Sequence, residues 1–245
     1  MKIAISGKGG VGKTSIAAGL AILSAKDGRK VAAIDADPDA NLAATLGYPE
    51  PDSIIPISKM KNLIKERVGE QGGFFTLNPK VDDIPENLCP LYKGIRIIVM
   101  GGIKKGGSGC YCPESSLLRA LLGHLLLRPD EIVIMDMEAG IEHLTRGTAS
   151  QVDVLLSIIE PTRRSIETAL RIKEISRDLK IKTFLIILNK YQNKNDIDYV
   201  KSNINGQLDL IYSICYNNQL RDGLNDKFLK ELMGLKNRLV EIVSR

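Results

Sequence analysis

Short runs at residues 2–6, 30–35, 95–101, 131–136, 154–160, 184–189 and 208–214 are apolar almost throughout. A strand with one wet face alternates apolar and polar residues, whereas a strand covered on both faces has no need to. Between these runs lie longer stretches with helical spacing, among them 14–26, 113–127 and 164–179. Strand–helix alternation of this kind predicts an α/β fold, a doubly wound and mostly parallel sheet whose ligands bind beyond the carboxyl ends of the strands. With 245 residues and 44% hydrophobic content, one core suffices, and the expectation is a single domain over 1–245. The proline-containing region 48–94 is irregular in pattern.

Charge narrows the range of partners. The net charge is +5, from 34 basic and 29 acidic residues scattered along the chain, which gives no concentrated footprint for nucleic acid. The opening MKIAIS meets glycine too early for a signal peptide, and no apolar run approaches membrane-spanning length. A cytoplasmic location is expected. Four cysteines in such a chain suggest metal or redox chemistry more than structural staples.

The first strand runs into GKGGVGKT, residues 7–14. The segment fits G-x-x-x-x-G-K-[ST], the P-loop. It also fits G-x-G-x-x-G through Gly7, Gly9 and Gly12, with Asp35 ending the second strand where a dinucleotide site places an acid. Only a triphosphate site has use for Lys13 and Thr14, and this favours the P-loop. Glycine lets backbone N–H groups curl around phosphate, Lys13 neutralises the β/γ oxygens, and the Thr14 hydroxyl is a Mg²⁺ ligand. Gly10, Val11 and Ser15 complete the expected contacts. DMEAG (136–140) follows the fourth run, with Asp136 placed to hold the Mg²⁺ shell and Gly140 to pivot a switch loop. Asp37 in DADPD (35–39) can hold an attacking water in line or cap a helix starting near Pro38.

Residues 106–115 read GGSGCYCPES. Cys110 and Cys112 are two soft ligands, half of a closed tetrahedral set for zinc or nickel. Two copies of the loop at a dimer axis would supply four sulfurs. Pro113 suits the first helical position, so Cys112 is expected at the N-cap, where a helix end favours thiolate. A disulfide pair and two inert small residues are the competing readings. Cys89, Cys215, His124 and His143 receive no role; His124 is expected to pack within its leucine-rich helix.

The octapeptide with its early lysine resembles the deviant Walker A loop of the ParA/MinD and nitrogenase iron-protein ATPases. The stretches GGSGCYCPESSLLRALL, DMEAGIEHL (136–144), TRGTA (145–149) and EPTRRSIETA (160–169) are similar to the carbon monoxide dehydrogenase maturation ATPases, the CooC family. That resemblance implies ATP/ADP and Mg²⁺ as cofactors, with Lys8 reaching across a homodimer to the partner's nucleotide. It also implies Asp37 orienting water, and Asn189 with Lys190 beside adenine. A Ni²⁺ (or Zn²⁺) site shared between subunits through Cys110 and Cys112 is implied too, in a nucleotide- and metal-dependent dimer. The client would be carbon monoxide dehydrogenase or the related acetyl-CoA synthase. CYNNQLRDG (215–223) lacks the family's proline-acidic pattern for seating adenine, so the parts of Tyr216 and Asn217 stay open. Two rivals remain. A MinD/ParA-type positioning ATPase, acting on membrane or nucleoid, could lay the apolar stripe at 228, 232, 235, 239 and 242 on a membrane. An iron–sulfur electron-transfer ATPase would want a cysteine beyond the switch, and residues 137–188 contain none.

Overall fold

The computed structural model describes residues 1–69, 76–101, 113–138 and 144–244. The strands are β1 (Lys2–Gly7), β2 (Lys30–Ala36), β3 (Leu91–Tyr92), β4 (Ile95–Val99), β5 (Glu131–Met137), β6 (Val154–Ile159), β7 (Phe184–Tyr191) and β8 (Leu210–Cys215). They form one sheet in the order β3-β4-β2-β5-β1-β6-β7-β8. Every neighbouring pair is parallel except β3–β4. The helices are α1 (Lys13–Lys26), α2 (Leu42–Thr45), α3 (Lys61–Arg67), α4 (Ile84–Leu88), α5 (Pro113–Leu127), α6 (Arg146–Ala149), α7 (Arg163–Asp178), α8 (Lys194–Ile204) and α9 (Asp226–Val243).

Continuous apolar strands are explained by where alternate residues go. Ile3 and Ile5 join the core under α1 and α9, while Ala4 between them joins the core under α5. Ile97 and Ile98 divide in the same way, as do Ile134 and Met135. With both faces covered, both sets of side chains must be apolar. Toward the β8 edge, α7 and α8 cover a third cluster built on Ile186 and Leu188.

Strand ends depart from expectation for local reasons. The third apolar run stops pairing as β4 at Val99, because Gly101 turns the chain at φ +78° and a Cβ there would lie 2.2 Å from the Ser58 hydroxyl. The two-residue β3 has too little pattern to detect in sequence. Lys93 and Gly94, at φ +48° and +79°, make the tight turn that joins it to β4. No helix starts near Pro38, so the alternative reading of Asp37 as a helix cap does not hold. Instead Asp37 closes a turn, its Oδ1 accepting from the Asp39 N–H at 3.1 Å, and α2 starts at Leu42. The Leu42 N–H is bonded by Asp35 Oδ2 at 2.8 Å.

The final helix buries its stripe rather than presenting it. Phe228, Leu232, Leu235 and Leu239 are at most 1% exposed, and Asn225 caps the helix through the Phe228 N–H at 2.9 Å. A Cβ on Gly19 of α1 would sit 2.2 Å from Leu232 Cδ1, so the absent side chain lets the two helices close. Leu232→Ala is expected to cost about 2–5 kcal/mol, read as a lower urea midpoint with an unchanged slope.

Candidate functional site

The site grows from the carboxyl end of β1, the central strand. Gly7 sits at φ +146°, and a Cβ there would lie 2.4 Å from the Ile158 carbonyl of β6. Gly12 sits at φ +96°, and its Cβ would lie 2.4 Å from Asn189 Nδ2 of β7. These two positions require glycine because the loop is pressed against its neighbouring strands. Gly9 and Gly10 would meet nothing within 4 Å, which leaves their side open to a ligand. No side chain caps α1 at Gly12, so the helix N-terminus also faces outward uncapped. Lys13 is 7% exposed, Thr14 and Ser15 are half-buried, and Lys8 is exposed.

Two acids stand across from this loop in strict register. Asp35 of β2 and Asp136 of β5 are paired Cα partners, and both are 0% exposed. Asp35 is satisfied by the Leu42 and Asp37 N–H groups at 2.8 and 3.2 Å. Burial nonetheless pushes its pKa up to about 6, those N–H bonds opposing the rise. Asp136 differs. The Thr14 hydroxyl approaches it, yet neither carboxylate oxygen completes a hydrogen bond of normal geometry. Burial raises it to about 7; Thr14 and Lys13 pull downward while Asp35 and Asp37 add to the rise.

A buried, unpartnered carboxylate beside a hydroxyl offers the hard oxygen ligands a divalent cation takes, while the Lys13 ammonium nearby suits phosphate rather than metal. Mg²⁺ fits these oxygens, because that ion is commonly held by one or two protein oxygens together with phosphates and water. Such a site needs no third acidic ligand. No cluster of three or more His, Cys, Asp or Glu capable of holding a metal occurs among the described residues.

Beside the loop lies a cavity of about 250 Å³, lined in part by Gly10, Gly12, Ser15, Asn189, Lys190 and Tyr216. A larger cavity of about 350 Å³, walled by Ser24, Arg29 and Ile132, opens at the amino end of the sheet, away from the loop. The smaller one matters because it is continuous with the P-loop. Asn189 is 5% exposed and donates Nδ2 to the Val11 carbonyl at 2.7 Å, so its amide braces the loop. Asn217 is engaged at the rim, accepting from the Gln219 N–H at 3.0 Å, while Tyr216 is 45% exposed. Cys215, unassigned from sequence, ends β8 at this cavity and is exposed, and Cys89 is buried far from it. His124 of α5 is half-buried and accepts from Arg128 Nε at 3.1 Å. Cys110, Cys112, Gly140 and His143 lie outside the described residues.

Loop, sheet and acids together define a P-loop nucleotide-binding protein. The CobQ/CobB/MinD/ParA nucleotide binding domain matches residues 2–227, and the chain belongs to that family of ATPases. The chain is 47% identical over 226 residues to the carbon monoxide dehydrogenase accessory protein CooC of Rhodospirillum rubrum, covering 90% of this chain and 86% of that one. It is 48% identical over 214 residues to an uncharacterized ATP-binding protein of Methanocaldococcus jannaschii, covering 86% and 82%. Among solved structures, the MinD cell division protein of Aquifex aeolicus superposes with a TM-score of 0.67 at 20% identity, covering 98% and 96%. A plasmid partition protein of Borrelia burgdorferi does so at 0.68 and 19%, covering 98% and 97%. At these identities the structural likeness concerns the fold.

A raised carboxyl pKa has a definite sign. The folded protein without nucleotide keeps on Asp136 a proton that the unfolded chain releases near 3.8, so this group's contribution to stability declines as pH rises through about 7. Asp136→Asn should therefore melt above the wild type at about pH 8, by about 3–10 °C for a relief of about 1–3 kcal/mol. The gap should close toward about pH 4. Scanning calorimetry of both proteins without Mg²⁺ or nucleotide checks this.

Proposed function

We propose that the chain is a nickel-binding ATPase that assists maturation of carbon monoxide dehydrogenase or of the related acetyl-CoA synthase. The observation that carries the reading is the C-x-C pair Cys110–Cys112 in a chain so similar to a carbon monoxide dehydrogenase accessory protein. One 1–245 domain would do the ATP chemistry. Gly7 to Ser15 would wrap the phosphates, Lys13 would neutralise them, and Thr14 and Asp136 would hold Mg²⁺. That ion would draw charge from the β/γ oxygens. Asp37, half-buried at the turn after β2, would hold the attacking water in line, and Gly140 would let the following segment respond to the γ-phosphate. Asn189 and Lys190 would border the base.

Lys8 is exposed at the loop apex, where it is available to a second subunit's nucleotide. A dimer closed in this way would bring two C-x-C pairs together, and four sulfurs would bind one nickel or zinc ion as cargo. Gly101 and Pro113, the described residues that bracket this segment, both lie at the carboxyl edge of the sheet, where the P-loop also is. That placement supports coupling between nucleotide and metal.

Membrane positioning has less support. The stripe of α9 is spent on the core, and no described helix is long and apolar enough to cross a membrane.

Nickel titration of the reduced protein, with and without MgATP and with mass measured alongside, tests the reading. The expected result is one ion per two chains, with pairing that depends on nucleotide. Cys112→Ala should lose tight nickel binding and keep nucleotide binding. Lys13→Ala should abolish hydrolysis and leave the thiols reactive. Unchanged nickel affinity in Cys112→Ala would overturn the metal site.

A further inference from the structure

Successive side chains of a strand point to opposite faces, so neighbours should not reach the same target. Asn189 and Lys190 do. Asn189 Nδ2 bonds the Val11 carbonyl at 2.7 Å, and Lys190 Nζ bonds the Gly10 carbonyl. The alternation is broken because Lys190 adopts a left-handed φ of +61°, at a register shift between Leu188 and Tyr191 in the β7–β8 pairing. A long side chain rarely takes that conformation without return. Lys190 also pairs with Glu160 Oε1 at 2.6 Å, and the Glu160 N–H is fixed by the Ser165 hydroxyl at 3.0 Å.

A stabilising role does not account for this. The paired side chains are 36% and 28% exposed, a setting in which ion pairs contribute little, and the left-handed backbone offsets that little. The phosphate loop supplies a reason. A loop whose N–H groups converge on an anion turns its carbonyls outward, and those carbonyls need partners to hold the curl. Gly10, at φ +80° with open space on its side, has little else to fix it.

We propose that Glu160 and Lys190 are positioning residues, a clamp on the Gly10 carbonyl that holds the P-loop in its phosphate-binding curl and so sets nucleotide affinity. Glu160 aims the ammonium, Lys190 grips the carbonyl, and Asn189 grips the next one along. The inference rests on the P-loop as the ATP site. That reading would fail separately, if the wild type showed no Mg²⁺-dependent ATP hydrolysis that Lys13→Ala removes.

Steady-state ATPase kinetics and nucleotide-free melting of four single variants and one double variant provide the test. Lys190→Gly removes the ammonium and also the backbone cost, since glycine takes positive φ freely. It should raise KM for MgATP about tenfold or more with a smaller change in kcat, while melting at or above the wild-type temperature. Lys190→Met should raise KM similarly, and Lys190→Arg should restore most of the affinity. Glu160→Gln should raise KM by a smaller factor, and combined with Lys190→Met it should add nothing further. Wild-type KM in Lys190→Gly would overturn the clamp. So would a KM rise matched by a fall in melting temperature in both Lys190→Gly and Lys190→Met, because that is the mark of a merely structural contact.

Discussion

The phosphate loop is shaped by the two strands that crowd it. β1 lies between β5 and β6, and its last residue packs against the Ile158 carbonyl so closely that no Cβ fits. Five residues on, Gly12 meets the Asn189 amide under the same restriction. Between these fixed points the chain must turn sharply, and its N–H groups are forced toward the carboxyl edge of the sheet. Sheet order thus determines the anion site: β6 next to β1, with β7 one strand further out, provides the walls, and glycine is the residue that can stand against them.

The same edge carries an uncompensated charge. Asp35 and Asp136 are brought opposite each other by strand register, and only Asp35 is given N–H partners. Leaving Asp136 unpartnered costs folding free energy, and a fold selected for stability alone would have supplied a donor. The imbalance is what a cation site needs before its cation arrives. Lys13 lies near enough to lower the Asp136 pKa but makes no ion pair that would remove the site's appetite for Mg²⁺. Lys13 would thus be free for phosphate and Asp136 for metal.

Much of this is legible in the residues because the chemistry is local. An octapeptide that curls around phosphate must follow a strand and precede a helix, and the apolar runs place it there. The extent of α5 is readable to the residue, since Pro113 starts it and its leucines repeat at helical spacing up to Leu127. What escapes the sequence depends on tertiary contact. β3 exists because Lys93 and Gly94 turn the chain back along β4, and two residues carry no period. Asp35 holds α2 through a bond across seven residues, and Asp37 closes a turn where its type and a following proline suggested a cap. Glu160 and Lys190 are thirty residues apart and look like ordinary surface charges until the left-handed backbone of Lys190 aims them at the loop.

The amphipathic tail shows how one pattern can support two readings that only packing separates. A stripe at 228, 232, 235, 239 and 242 suits a membrane surface or a sheet equally well by spacing. Gly19 decides between them. By giving up its side chain, α1 opens a groove into which Leu232 fits, and the stripe disappears into the core that also backs the phosphate loop. The last helix therefore braces α1, the helix whose first turn would receive phosphate. A surface that a positioning ATPase would turn outward is here committed to the core behind the phosphate loop.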